Sequence, residues 1–216
     1  MGMLELAIMQ KVENILFDWS GVISDNISAL LKTINSMFDE RGVAPISMEE
    51  LKQNWKQPYL KFYQQYLPGI TLEEEDALFK RHGIKHYKPE LIKNMPELIV
   101  KLKENKKEMY IVSSDPAESL LELLDRNNIR NCFKEIHCEL HNKIETVKTI
   151  IKNNRINLET CFIVGDTAHE IEVGKEMGIK TIGVTWGMYT EERFKEENYP
   201  DYLIERVKNL EELLLS

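Results

Sequence analysis

Short apolar runs that stop on a polar residue recur along this chain, and stretches of helical period separate them. Val12 to Phe17 is apolar and partly β-branched and stops on Asp18, so it reads as a buried strand with a carboxylate at its C-terminal tip. Glu108 to Val112 delivers Ser113-Ser114-Asp115 in the same way, and Thr160 to Val164 delivers Gly165-Asp166-Thr167. Further strands are predicted at Phe133 to Cys138, at Lys180 to Val184 and near Tyr202 to Ile204. Between them the apolar spacing predicts helices at Glu90 to Asn105, Ala117 to Asn127, Asn142 to Asn154, His169 to Met177 and about Val207 to Leu215. Asp115-Pro116 suits a cap and first-turn proline for the second of these, and Gly178 stops the fourth. Strands alternating with helices predict an α/β fold, a doubly wound parallel sheet. Strand tips of such a sheet share the edge at which open α/β sheets bind ligands, so Asp18, Ser113 and Asp166 are expected to converge there.

From about Ser24 to Lys88 the pattern changes to helices alone. Asn26 or Ser28 can cap a helix reaching about Arg41, with Ile27, Leu30, Leu31, Ile34, Met37 and Phe38 along one stripe and Gly42 at its end. Ser47 followed by Glu50 forms a capping box, Tyr59 to Leu67 reads as helix, and Thr71 opens another that runs to about His82. The acidic run Glu73-Glu74-Glu75-Asp76 reads as a solvated first turn favoured by the helix dipole. No period-two strand is predicted in this segment. The expected organisation is therefore a core of residues 1–23 and 89–216 and a helical insert of residues 24–88, joined through Val22 to Asn26 and the region around His86 to Pro89.

Composition narrows the functional classes. The chain has 216 residues, 43% hydrophobic and 30% charged, in the range of ordinary globular proteins. Its 28 basic residues against 36 acidic ones give a net charge of -8, without the positive excess that binding nucleic acid demands. Cys132, Cys138 and Cys161 are odd in number and lack C-x-x-C spacing, which predicts buried reduced thiols rather than disulfides or a metal site. The N-terminal stretch carries Glu5 and no basic leader, and no run reaches the roughly 18 apolar residues of a membrane span, so a cytoplasmic protein is expected.

Taken singly, the candidate site residues also suit plainer uses. Asp18 and Asp166 fit turns, Ser113 fits a strand-end cap, and Lys143 fits a solvated helix start beside Asn142 and Glu145. Their order and spacing are more specific. Ile15-Leu16-Phe17-Asp18-Trp19-Ser20-Gly21-Val22, Ser113-Ser114, Lys143 and Ile163-Val164-Gly165-Asp166-Thr167-Ala168-His169-Glu170 together resemble the haloacid dehalogenase superfamily, hydrolases with an aspartate nucleophile and a cap. Gly178-Ile179-Lys180-Thr181-Ile182-Gly183-Val184 and Trp186-Gly187 add a likeness to the subgroup of phosphoglycolate phosphatases and β-phosphoglucomutases. The resemblance implies that Asp18 attacks phosphorus and forms an aspartyl-phosphate. It implies a Mg²⁺ ion on Asp18, Asp166 and the Ser20 backbone carbonyl, with Glu170 supporting it where relatives carry an aspartate. Ser113 and Ser114 would bind the phosphoryl group, with Lys143 as the nearby cation, although the Lys-Pro that marks that motif is missing. The helical insert would close over the site and choose a small phosphorylated metabolite, and cap-mediated homodimers occur among relatives.

Ser20 departs from the pattern. Phosphatases of the superfamily carry a second aspartate there to protonate the leaving group and deprotonate the attacking water, work worth about 10²–10⁴-fold that a serine hydroxyl does poorly. Three readings follow. The first is a slow phosphatase, with water, His169 or a cap residue replacing the acid. The second is another bond, as in phosphonoacetaldehyde hydrolases, where Lys56 or Lys61 would form a Schiff base, or as in dehalogenases. The third is a metabolite-binding protein without turnover. His169 itself reads as a helix-start residue rather than a metal ligand.

Overall fold

The computed structural model describes residues 11–56, 58–86, 89–140 and 142–216. Met1 to Gln10 and, within the expected second connection, Tyr87 and Lys88 lie outside the described residues. The chain opens with β1 (Asn14–Phe17) and β2 (Ser24–Asp25), then the four helices α1 (Ile27–Glu40), α2 (Met48–Asn54), α3 (Leu60–Tyr66) and α4 (Leu72–His86). It continues through β3 (Glu90–Leu91), α5 (Met95–Glu104), β4 (Glu108–Val112), α6 (Ala117–Arg126), β5 (Glu135–His137) and α7 (Lys143–Asn154). The last elements are β6 (Cys161–Gly165), α8 (Ala168–Met177), β7 (Lys180–Val184), α9 (Glu191–Glu197), β8 (Tyr202–Ile204) and α10 (Val207–Leu214).

Six strands form one parallel sheet in the order β5-β4-β1-β6-β7-β8. β1 is central, with Phe17 in register with Ile111 on one side and Val164 on the other. Both faces of the sheet are covered, as parallel sheets require. The two-residue period sends Ile15 and Phe17 to the face packed by Leu98, Leu124 and Leu210, and Leu16 to the face packed by Val147, Ile150 and Val173. Each such buried side chain contributes roughly 1.5–3 kcal/mol, which fixes the register and hence the level at which the tips end.

The helices α1 to α4 have their own apolar centre, with Ile34, Phe38, Leu51, Phe62 and Leu78 buried, and it is continuous with Ile171, Met188, Tyr189 and Phe194 below. Polar contacts hold the helices down on the sheet side. Lys52 Nζ donates to the Gly187 carbonyl at 2.7 Å, and Arg193 donates to the Lys52 and Trp55 carbonyls while lying 3.8 Å over the Tyr189 ring.

The structure corrects several expectations. Ser24–Asp25 is a strand and pairs antiparallel with Glu90–Leu91, so both connections to the helical segment run side by side. The helix expected from Glu90 therefore begins only at Met95, after Asn94 in the left-handed region at φ 67°. Asn26 precedes α1 without a side-chain capping bond, and its Nδ2 donates to Ser20 Oγ. α9 was not predicted: Phe194 is its only buried residue, too little for an apolar stripe, and Thr190 caps it. Cys161 is buried while Cys132 and Cys138 are half-buried, and all three are free. No described helix is long and apolar enough to cross a membrane.

Candidate active site

Because β1, β4 and β6 are adjacent and parallel, Asp18, Ser113 and Asp166 follow one another across the C-terminal edge of the sheet. The Asp18 N–H continues the ladder by donating to Val164 O at 2.9 Å, which ties the carboxylate to the strand that carries Asp166. Asp18, Asp166 and Glu170 are buried and each offers a carboxylate oxygen, all within 4.8 Å of one another. Glu170 reaches this cluster from the first turn of α8. The sequence Thr167-x-x-Glu170 has the form of a capping box, and Thr167 does cap the helix, yet the Glu170 carboxylate accepts from Thr167 Oγ1 at 2.7 Å and from Lys143 Nζ at 2.6 Å.

Lys143, first residue of α7, is buried and also donates to Asp18 Oδ1 at 2.8 Å. A solvated lysine is thereby excluded. Asn142 caps α7 through the N–H groups of Ile144 and Glu145, which aims the lysine across the sheet edge. With all three carboxylates ionised, one ammonium would leave two negative charges in excess. Burial pushes Asp18 up to about 7, against the pull of Lys143 and with added repulsion from Glu170. Burial also raises Asp166 well above the usual carboxylate range, helped by Asp18. Burial alone would raise Glu170 too, but Lys143 holds it below. Lys143→Met, which leaves these carboxylates without a counter-charge, is expected to cost about 3 kcal/mol of stability in chemical denaturation at neutral pH.

Glycines let the backbone close on this cluster. Gly21 stands at φ 68°, and a Cβ there would lie 1.9 Å from Asp166 Oδ2. A Cβ on Gly187 would come within 2.4 Å of the same oxygen, which accepts from the Met188 N–H at 2.8 Å. Both residues belong to the motifs Ser20-Gly21 and Trp186-Gly187.

Ser20 and Ser113 share one partner that the sequence reading missed. Ser20 Oγ donates to Asp115 Oδ2 at 2.6 Å, Ser113 Oγ donates to the same oxygen at 2.9 Å, and Asn26 Nδ2 donates to Ser20 Oγ at 2.5 Å. Asp115 is therefore no helix cap: α6 starts after Pro116, and the Asp115 carboxylate is turned toward the β1 loop. The signal available in the sequence was its place two residues beyond Ser113, on the same edge as a Ser20 that lacks a carboxylate. Ser113 is fully buried and engaged with Asp115, whereas Ser114 is exposed and donates to Leu140 O at 2.8 Å.

A cavity of about 190 Å³ extends from these residues to the helical segment. Asp18, Ser20, Ser114, Asp115, Lys143 and Asp166 line one end, and Trp55, Tyr59, Tyr63, Glu75, Asp76 and Phe79 line the other. Lys56 and Lys61 are exposed and do not line it, so neither is placed to form an adduct with a bound carbonyl. His169 is the second residue of α8, half-buried, and lies outside both the carboxylate cluster and the cavity lining.

Known proteins resemble this chain in sequence and in fold. The family model of haloacid dehalogenase-like hydrolases matches residues 15–184. A 5'-nucleotidase of Pseudomonas aeruginosa is 22% identical, covering 89% of this chain and 91% of its own length. A phosphoglycolate phosphatase of Synechococcus elongatus is 19% identical, covering 92% and 95%. Among solved structures, a haloacid dehalogenase-like hydrolase from Bacteroides fragilis superposes with a TM-score of 0.81 at 19% identity, over 93% of this chain and all of its own.

Proposed function

From the premise that the chain belongs to the haloacid dehalogenase-like hydrolase family, we propose that it is a Mg²⁺-dependent phosphatase of small phosphorylated metabolites, acting through an aspartyl-phosphate on Asp18. The observation that carries this reading is the meeting of Asp18, Asp166 and Glu170 around one lysine at adjacent strand tips, where burial and mutual repulsion disfavour the ionised carboxylates unless a cation joins them, a setting that suits a divalent cation bound by hard oxygen ligands. Asp18, Asp166 and the Ser20 carbonyl would hold the ion, and Glu170 would orient Lys143 behind them. What Mg²⁺ supplies in such a setting is neutralisation of the phosphoryl oxygens.

The chain's own groups divide the remaining work. Asp18 attacks phosphorus and the P–O bond to the alcohol breaks. Lys143 offsets charge at the nucleophile, and Ser114, at the cavity wall, would turn its hydroxyl from the Leu140 carbonyl to the phosphoryl group. Asp115 takes the place of the carboxyl missing at Ser20. Ser20 Oγ already donates to it, so as a water on the far side of Ser20 bonds to phosphorus and the P–O bond to Asp18 breaks, releasing phosphate, the water's proton can pass to Ser20 while the Ser20 proton moves to Asp115. The same relay run in reverse delivers a proton to the leaving alkoxide. Helices α1 to α4 act as the cap, with the β2–β3 pair as its hinge and the Lys52 and Arg193 contacts as its closed position.

The test is hydrolysis of an aryl phosphate that requires MgCl₂ and stops with a chelator. A pH dependence follows as well. Asp18 is neutral below about 7, and a neutral carboxyl is a poor ligand, so protons compete with the ion. The rise in melting temperature on adding millimolar MgCl₂ is expected to be largest at about pH 8 and to shrink towards about pH 5. Equal shifts at both would remove Asp18 from the metal site.

A further inference from the structure

The cap end of the cavity carries a chemical preference of its own. Glu75 was expected in a solvated first turn, but it is only 2% exposed. The start of α4 does not use it: Thr71 and Glu74 form the capping box there, with Thr71 Oγ1 accepting from the Glu74 N–H and Glu74 Oε2 accepting from the Thr71 N–H. Glu75 instead faces the cavity, where the Tyr63 hydroxyl donates to its carboxylate.

Among the described residues that line the cavity, the only lysine or arginine is Lys143, and both Asp18 and Glu170 already hold it. Burial pushes Glu75 up to about 7, with repulsion from Asp76 adding to it, as for a carboxylate left without a counter-ion. Trp55, Tyr59 and Tyr63 complete this end with aromatic surface. A carboxylate beside aromatic rings is the chemistry that recognises an ammonium group, through charge and through the negative faces of the rings. An anionic group carried by the alcohol, such as a carboxylate or a second phosphate, would meet Glu75 and Asp76 with no cation to receive it. A cavity of about 190 Å³ also falls below the roughly 300–1,000 Å³ of sites for drug-sized ligands, which favours an alcohol of a few carbons over a nucleoside.

We propose that the preferred substrates are phosphate monoesters of small amino alcohols, with the ammonium group seated against Glu75 and the Trp55, Tyr59 and Tyr63 rings. This rests on the phosphatase reading for the phosphoryl end and adds to it the charge of the leaving group.

The experiment compares phosphocholine and phosphoethanolamine with their neutral carbon isosteres and with phosphoglycolate, on the wild-type protein with Mg²⁺. The ammonium esters are expected to exceed the isosteres in kcat/KM by about tenfold or more, which corresponds to about 1.4 kcal/mol, and phosphoglycolate is expected to be poorest. In Glu75→Gln the ratio of ammonium ester to isostere should fall close to one. Equal rates for ester and isostere in the wild type, or a preference for phosphoglycolate, overturn the proposal. The wild-type comparison needs no variant, so it decides even where Glu75→Gln does not fold. If no ester is hydrolysed, the phosphatase reading fails instead, and calorimetry with the same pairs decides the charge question: tighter binding of the ammonium ester supports it, and equal or absent binding overturns it.

Discussion

Asp18→Asn is expected to lower magnesium-dependent hydrolysis of an aryl phosphate by on the order of 10⁴-fold, while raising the melting temperature of the metal-free protein. The two effects share one cause. Asp18 sits at the tip of the central strand, buried beside Asp166 and Glu170, with one lysine for all three. That arrangement suits a carboxylate that must face a cation and attack phosphorus, and it is costly when no cation is present. The sign follows from the direction of the shift. A carboxyl raised from 3.8 to about 7 prefers its protonated form in the folded state, so folding is penalised as pH rises through that interval, and the full penalty stands above it. Asparagine removes the penalty and leaves Lys143 paired with Glu170. Melts in a chelating buffer should place the variant above wild type by a few degrees at about pH 8, with the gap closing near pH 4. Lower stability at pH 8 would mean that the Lys143 ion pair outweighs the burial and repulsion assigned to Asp18, and retained turnover would remove it as nucleophile.

Much of this site was legible because a parallel sheet turns sequence order into spatial order. Each apolar run ends where the ladder ends, so residues 18, 113 and 166 had to share an edge once β1, β4 and β6 were neighbours. Lys143 was harder to read: a lysine at a helix start is usually solvated, and only the packing of α7 against the sheet shows it buried between two carboxylates. Glu75 was misread for the same reason in reverse, since a run of four acidic residues hides the one that faces inward. The β2–β3 pair escaped notice because two-residue strands carry no period, and α9 because a single buried phenylalanine carries none either. Asp115 was assigned to a helix cap by the rule that Asp-Pro opens helices. That rule concerns local backbone, whereas the partner that turns this side chain, Ser20, lies 95 residues away.

That pairing changes what a repair of the Ser20 position should do. Ser20→Asp alone, which restores the second aspartate that phosphatases of the superfamily carry, is expected to raise the rate by less than about tenfold, because the new carboxyl would stand against Asp115 where a 2.6 Å hydrogen bond now lies. Asp115→Asn, by contrast, is expected to lower alkyl phosphate hydrolysis by about 10²–10⁴-fold, the usual worth of general acid–base help. An aryl phosphate separates the two halves of the cycle. Its leaving group needs no proton, so Asp115→Asn should release about one equivalent of phenol per enzyme in a burst and then slow, as the aspartyl-phosphate on Asp18 waits for an activated water. The double variant Ser20→Asp with Asp115→Asn restores one carboxyl to the pair on the opposite side, and its steady-state rate should recover to within about tenfold of wild type. A Ser20→Asp gain that is the same with Asp115 present or absent would show that the two positions do not share the proton. An Asp115→Asn variant with an unchanged alkyl phosphate rate and no burst would leave the carboxylate a purely structural partner of Ser113, and the proton would have to travel by another route.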